Sequence, residues 1–132
     1  MRVEEIERVI ITGNKIKTSD IKDIIIKLVR NAYVYSGLHR NKTKEQFDGE
    51  VMSSTDAILT SLQFDRRYDS LRVQELEICF LEGFRGTFGK ETTYLCTLDF
   101  LRWIEAYFTH PIRRDALIKA LARIENNQKK VR

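Results

Sequence analysis

Turn-forming and cross-linking residues are scarce in this chain. Its 132 residues include one Pro, six Gly, two Cys and two His. So few breakers disfavour a β-sandwich, which needs frequent turns, and leave helices as the expected structure. Cys79 and Cys96 do not form a C-x-x-C pair, and His39 and His110 stand alone. A structural zinc site needs four converging ligands, so none is expected, nor is any cofactor. No window approaches the ~20 apolar residues of a membrane span. The start, MRVEEIERVI, carries acids where a signal peptide has a basic start and a long apolar run. A cytoplasmic chain with reduced, buried thiols is the expectation, without a membrane partner.

What is present is a set of periodic apolar segments. Hydrophobic residues make up 42% of the chain, enough for the core of one domain over residues 1–132. Val3, Ile6 and Ile10 share a helical face, although Val9 to Thr12 also suits a short strand; we expect a short helix. Residues 19–35 repeat Ile21, Ile24, Ile25, Leu28, Ala32 and Tyr35 at helical spacing, with Ser19 or Asp20 as cap and Gly37 just past the end. Thr43 and Gln46 fit a reciprocal capping box opening a helix to about Phe64, buried along Phe47, Val51, Ile58 and Leu62. Its polar middle, Ser53 to Thr55, is a candidate bend. Arg66-Arg67-Tyr68 follows in a connection, with the Tyr expected against the core.

Two apolar helices come next. Val73, Leu76, Phe80 and Phe84 line the first. Leu98, Leu101, Ile104 and Phe108 form one stripe of the second, and Phe100, Trp103 and Tyr107 another, with Thr97 as its cap. A helix apolar on two sides is central in a bundle. The last helix opens at Pro111, a favoured first position, and buries Leu117, Ala120, Leu121 and Ile124. The tail 126–132 is expected to fray. The fold expected is all-α: a single compact helical bundle of five or six helices, centred on 71–84 and 98–108.

The loop between those two helices, Gly83-Phe84-Arg85-Gly86-Thr87-Phe88-Gly89-Lys90-Glu91, invites comparison with phosphate-binding motifs. A Walker A loop would need Gly at Phe84 and Ser or Thr at Glu91, and would follow a strand, so ATP binding is rejected. The G-x-x-G spacing also occurs in KH domains, whose three strands are missing here. Helix capping explains the glycines better, with Phe84 and Phe88 pinning the loop.

Other chemistry is thin. Cys96 and His110 would make a nucleophile and base only if the fold joined them. Glu77, Glu82 and Glu105 lie on the most apolar helices and are the first carboxylates to inspect for a polar cavity. Charge is more telling. Residues 110–132 hold seven Lys or Arg against Asp115 and Glu125, whereas residues 1–109 are nearly balanced. Such an end attracts nucleic acid or an acidic partner, and equally complements a helix dipole. The candidate phosphate contacts are Arg113, Arg114, Lys119, Arg123, Lys129 and Lys130, with Arg85 and Lys90. The alternative is protein interaction or self-association through an apolar patch near Trp103 and Tyr107.

The run Glu77-Ile78, Gly83, Gly86-Thr87-Phe88-Gly89, then Trp103-Ile104-Glu105-Ala106-Tyr107 resembles small helical proteins encoded by phages and other mobile elements of gut bacteria. In these an E-I helix leads to a G-x-x-G-x-[FY]-G loop and a helix ending W-[IL]-x-A-Y. The match covers about a third of the chain. The resemblance implies a helical fold and an origin in such an element more than any activity, although some of these proteins accompany replication or helicase-loading genes. It brings no catalytic residues. With the basic C-terminal end, the function expected is a non-enzymatic accessory that binds nucleic acid such as DNA, the alternative being a protein–protein adaptor or structural component.

Overall fold

The computed structural model describes residues 1–18, 20–89 and 95–131. Six helices succeed one another: α1 (Val3–Thr12), α2 (Lys22–Tyr35), α3 (Lys44–Phe64), α4 (Val73–Phe84), α5 (Thr97–Phe108) and α6 (Pro111–Val131). Two 3-10 turns, Ile16–Thr18 and Arg66–Ser70, complete the order. Among the described residues there is no strand, only an isolated bridge between Lys15 and Arg72. The fold is an all-α bundle.

Local chemistry sets most helix ends. Ile21 holds the cap position of α2, and Asp20, expected as the cap, stands one residue earlier with its Oδ1 accepting from the Lys22 N–H at 3.3 Å; Ser19 lies outside the described residues. At the other end of α2, Gly37 (φ 78°) donates to the Val34 carbonyl and Leu38 to that of Tyr33. These two bonds satisfy carbonyls that the helix leaves open. Thr43 and Gln46 make the reciprocal capping box at 3.0 and 3.1 Å. Beyond it α3 is one unbroken helix through Ser53 to Thr55, where the sequence offered a bend or break. Thr55 Oγ1 donates to the Val51 carbonyl, and Ser54 Oγ shares hydrogen bonds with Tyr33 Oη and Thr97 Oγ1. The polar middle of α3 therefore holds α2 and α5 instead of breaking the helix. Thr97, expected as the cap of α5, is engaged in this contact. Cys96 occupies the cap position, its N–H donating to Asp99 Oδ2 at 2.9 Å.

The core centres on α5, which packs against α3, α4 and α6. Phe80 stacks on Phe100, and Trp103 meets both rings edge-on. Tyr33 of α2 closes the cluster on Phe100. Fully buried aliphatics such as Ile25, Val29 and Ile58 each contribute about 1.5–3 kcal/mol by leaving water. A second layer joins α1 and α6. Ile6 and Ile10 of α1 and Ala116 and Ala120 of α6 are all buried where the two helices pack, and the small alanines let them approach.

The α6 face differs from the expected one. Arg113, Ala116 and Ala120 are buried, Leu117 and Ile124 half-buried, and Leu121 is exposed. A charged residue opens the buried face, so apolar spacing alone placed its centre too far round the helix. The helix α6 extends through Val131. Phe84, expected to continue the inner face of α4, is exposed because Gly83 takes the inner position against Trp103.

Candidate functional site

The loop that drew attention in the sequence is a helix stop. Gly86 adopts φ 86°, a left-handed conformation that a Cβ would strain. Its N–H donates to the Gly83 carbonyl, and that of Thr87 to the Glu82 carbonyl. Thr87 Oγ1 then donates to Glu82 Oε2. This bond holds the Glu82 carboxyl below its usual range, helped by the Met1 ammonium at 3.6 Å and Arg85 at 3.7 Å. Phe88 packs on Tyr107 and His110, as a pinning residue should. Arg85 is exposed beside Glu82; Lys90 and Glu91 lie outside the described residues.

The basic candidates divide sharply. Arg113 is 2% exposed and cannot reach a phosphate. Its Nε donates to Glu75 Oε2 at 3.1 Å and its Nη2 to Glu75 Oε1 at 3.4 Å. Its guanidinium also lies 4.9 Å from the centre of the Phe108 ring. The other α6 cations are exposed, several with a carboxylate beside them. Lys119 pairs with Asp115, Lys129 with Glu125 and Arg123 with the buried Glu7 of α1. Arg114 and Lys130 are exposed on the same helix.

Glu75 is the residue that the sequence reading passed over. It is fully buried on α4 and accepts from Arg113, from Tyr107 Oη and, at 3.0 Å, from the Arg72 N–H. One carboxylate thus binds α4, α5 and α6 together. Burial first, then the facing carboxylate, keeps the Tyr107 phenol far above its ordinary range, so it stays protonated as the donor. A signal was present: Glu75 lies midway between Leu71 and Cys79 at four-residue steps, on a face that is otherwise apolar. Arg113 stands likewise in register with Ala116 and Ala120.

The suspected carboxylates have other tasks. Glu105 accepts two bonds from Arg67 and one from Tyr68, and so fixes the 3-10 turn Arg66–Ser70 to α5. Arg67 also binds Asp65. These bonds depress both carboxyls, Glu105 through Arg67 first and then Tyr68, Asp65 through Arg67. A depressed folded value means a stabilising contribution that is complete above the unfolded carboxyl range, near pH 4–4.5, and lost as pH falls through the folded values. The urea midpoint should therefore drop between about pH 5 and pH 3. Glu105→Gln should flatten that drop; an unchanged slope would show that the cluster contributes nothing.

Cys79 is buried, and burial raises its thiol well above the usual value. Cys96, expected to be buried as well, is exposed. The chain turns there to start α5, which sends Leu95 inward and the next side chain out. His110 follows the far end of α5, about 18 Å along the axis, so the two form no nucleophile–base pair. Among the described residues no group of three His, Cys, Asp or Glu could hold a metal ion, and no helix is long and apolar enough to cross a membrane.

Trp103 and Tyr107 are 8% and 1% exposed, so the expected apolar patch is not theirs. They face inward because α5 has neighbours on three sides. Three exposed apolar side chains, Tyr35, Leu81 and Phe84, gather instead between α2 and α4. Leu28, Ala32, Tyr35, Phe80, Leu81 and Phe84 line a groove of about 540 Å³. Tyr35 and Phe84 meet ring to ring at 5.9 Å where the two helices end. Tyr35 is 70% exposed and Leu81 50%. Glu77 of α4 and Arg85, the residue that caps its end, mark the groove eight residues apart, about 12 Å along the helix direction. Compared with family models, curated proteins and solved structures, the chain matches none.

Proposed function

We propose that this chain is a binding accessory without catalytic activity that captures a partner protein in the α2–α4 groove. The observation that carries the proposal is the concentration of exposed Tyr35, Leu81 and Phe84 around one concave surface with charges of opposite sign at its rim. An apolar helix face suits such a surface, with anchors at helical spacing. Glu77 and Arg85 add polarity: the partner helix carries a cation opposite Glu77 and an acid about two turns away, opposite Arg85. The loop resemblance supports placing this role in a phage or mobile element. Selection from a displayed random-peptide library tests the idea. Selected peptides should show apolar residues at i, i+3 or i+4, and i+7 with those flanking charges, and should lose at least tenfold in affinity for Phe84→Glu. Peptides that bind Phe84→Glu as well as the parent would overturn it.

A nucleic-acid role is the second reading, supported by the exposed cations Arg114, Lys119, Arg123, Lys129 and Lys130 along α6. Exposed ion pairs such as Lys119–Asp115 are weak and exchange easily for phosphate. Fluorescence anisotropy with DNA and RNA across a salt series decides. Binding through these cations should weaken log-linearly with salt, and no binding at low salt removes this role.

A further inference from the structure

The outer face of α6 has an order that neither reading uses. Arg114, Ile118, Leu121 and Glu125 recur at three- and four-residue steps, opposite the face that Arg113, Ala116 and Ala120 bury. All four are exposed, Ile118 by 62% and Leu121 by 52%. Exposed aliphatics in the middle of a 21-residue helix that packs on the body only through its other side form an unpartnered seam.

The seam is complementary to itself. Turn a second α6 antiparallel about a point midway between Lys119 and Ala120. Ile118 then meets Leu121 of the partner subunit, and Arg114 meets Glu125 of the partner subunit. The two-fold axis repeats both contacts, as an isologous interface requires. A parallel arrangement would set Arg114 against its own copy and bring together the basic ends with Lys129 and Lys130. Antiparallel pairing separates those ends. Glu125 meets Lys129 within its own helix, but an exposed pair of that kind is weak and leaves the carboxylate able to take a second cation.

We propose that the chain associates with a second copy of itself through this α6 seam, as an antiparallel two-fold dimer. The apolar centre is small, so the dimer belongs to the weak class, with a Kd of roughly 1–100 µM. Sedimentation velocity over a concentration series is the test. The chain should move from its 15.6 kDa monomer to twice that mass as concentration rises. Arg114→Glu and Glu125→Arg should each raise the Kd at least tenfold, because each sets like charges against each other twice. The double variant should return the Kd to within about threefold of the parent, since it restores both pairs in reverse. Ile118→Asp should abolish association, with circular dichroism confirming an intact helix content. A chain that stays monomeric at several hundred micromolar would overturn the proposal. So would a dimer that the single charge reversals leave untouched or the double reversal fails to restore.

Discussion

Arg113→Ala should destabilise the protein by about 3–5 kcal/mol, the usual loss when one partner of a buried ion pair is removed. Arg113 and Glu75 are 2% and 0% exposed at their side chains. The variant leaves the Glu75 carboxylate in the core with Tyr107 and Arg72 as its remaining partners. Tyr107 brings no charge, and Arg72 meets the carboxylate through its backbone N–H while its guanidinium bonds the Ile10 and Ser70 carbonyls. Alanine also withdraws the guanidinium from Phe108 and from Ser70, so the start of α6 loses its hold on α4 and on the Arg66–Ser70 turn. Urea unfolding followed by circular dichroism checks the size of the effect. The double variant Glu75→Leu/Arg113→Met should cost clearly less than the sum of the single changes, because it removes the stranded charge with the pair. A surface role for Arg113 predicts a loss within about 0.5 kcal/mol, which would refute the burial of this pair.

Gly83→Ala is the second large effect, and its sign is diagnostic. Helix propensity alone favours Ala over Gly by about 1 kcal/mol in a helix such as α4. The packing predicts the reverse. A Cβ at Gly83 would lie 2.2 Å from Trp103 Cδ2 and 2.6 Å from Cγ and Cε3. The indole cannot retreat, since Phe80 and Phe100 hold its other sides. The helices α4 and α5 must separate, and overpacking of this kind costs about 1–3 kcal/mol or more, which outweighs the gain in propensity. Trp103 is the only Trp, so its emission reports the change directly and should move to longer wavelength as water reaches the ring. A stabilised variant with unaltered emission would mean that α4 and α5 are not in contact there.

These two positions show where sequence reasoning stops. Gly83 and Gly86 were both legible as a helix stop because three evenly spaced glycines follow an apolar helix. Of the two, Gly86 takes the positive φ. Gly83 serves a neighbour 20 residues later, and no local pattern reports how closely two helices approach. Arg113 was legible as a cation in a basic segment, with nothing local to separate it from Arg114. Burial divides them, and burial depends on which side of α6 meets the body. Trp103 and Tyr107 were legible as a strongly apolar pair, but whether such a pair is covered depends on how many helices surround α5.

The helices themselves needed no tertiary information. The 3.6-residue repeats, the Thr43–Gln46 box, the Gly37 stop and the Pro111 start act within a few residues, so the chain encodes them locally. Whether charged residues lie inside or outside was decided by assembly. Glu75 and Arg113 are 38 residues apart and are tolerated in the core only because folding makes each the other's partner. The α2–α4 groove and the α6 seam arise in the same way. They are the apolar faces left uncovered once the neighbouring helices had taken their places, and coverage is a property of the packed whole.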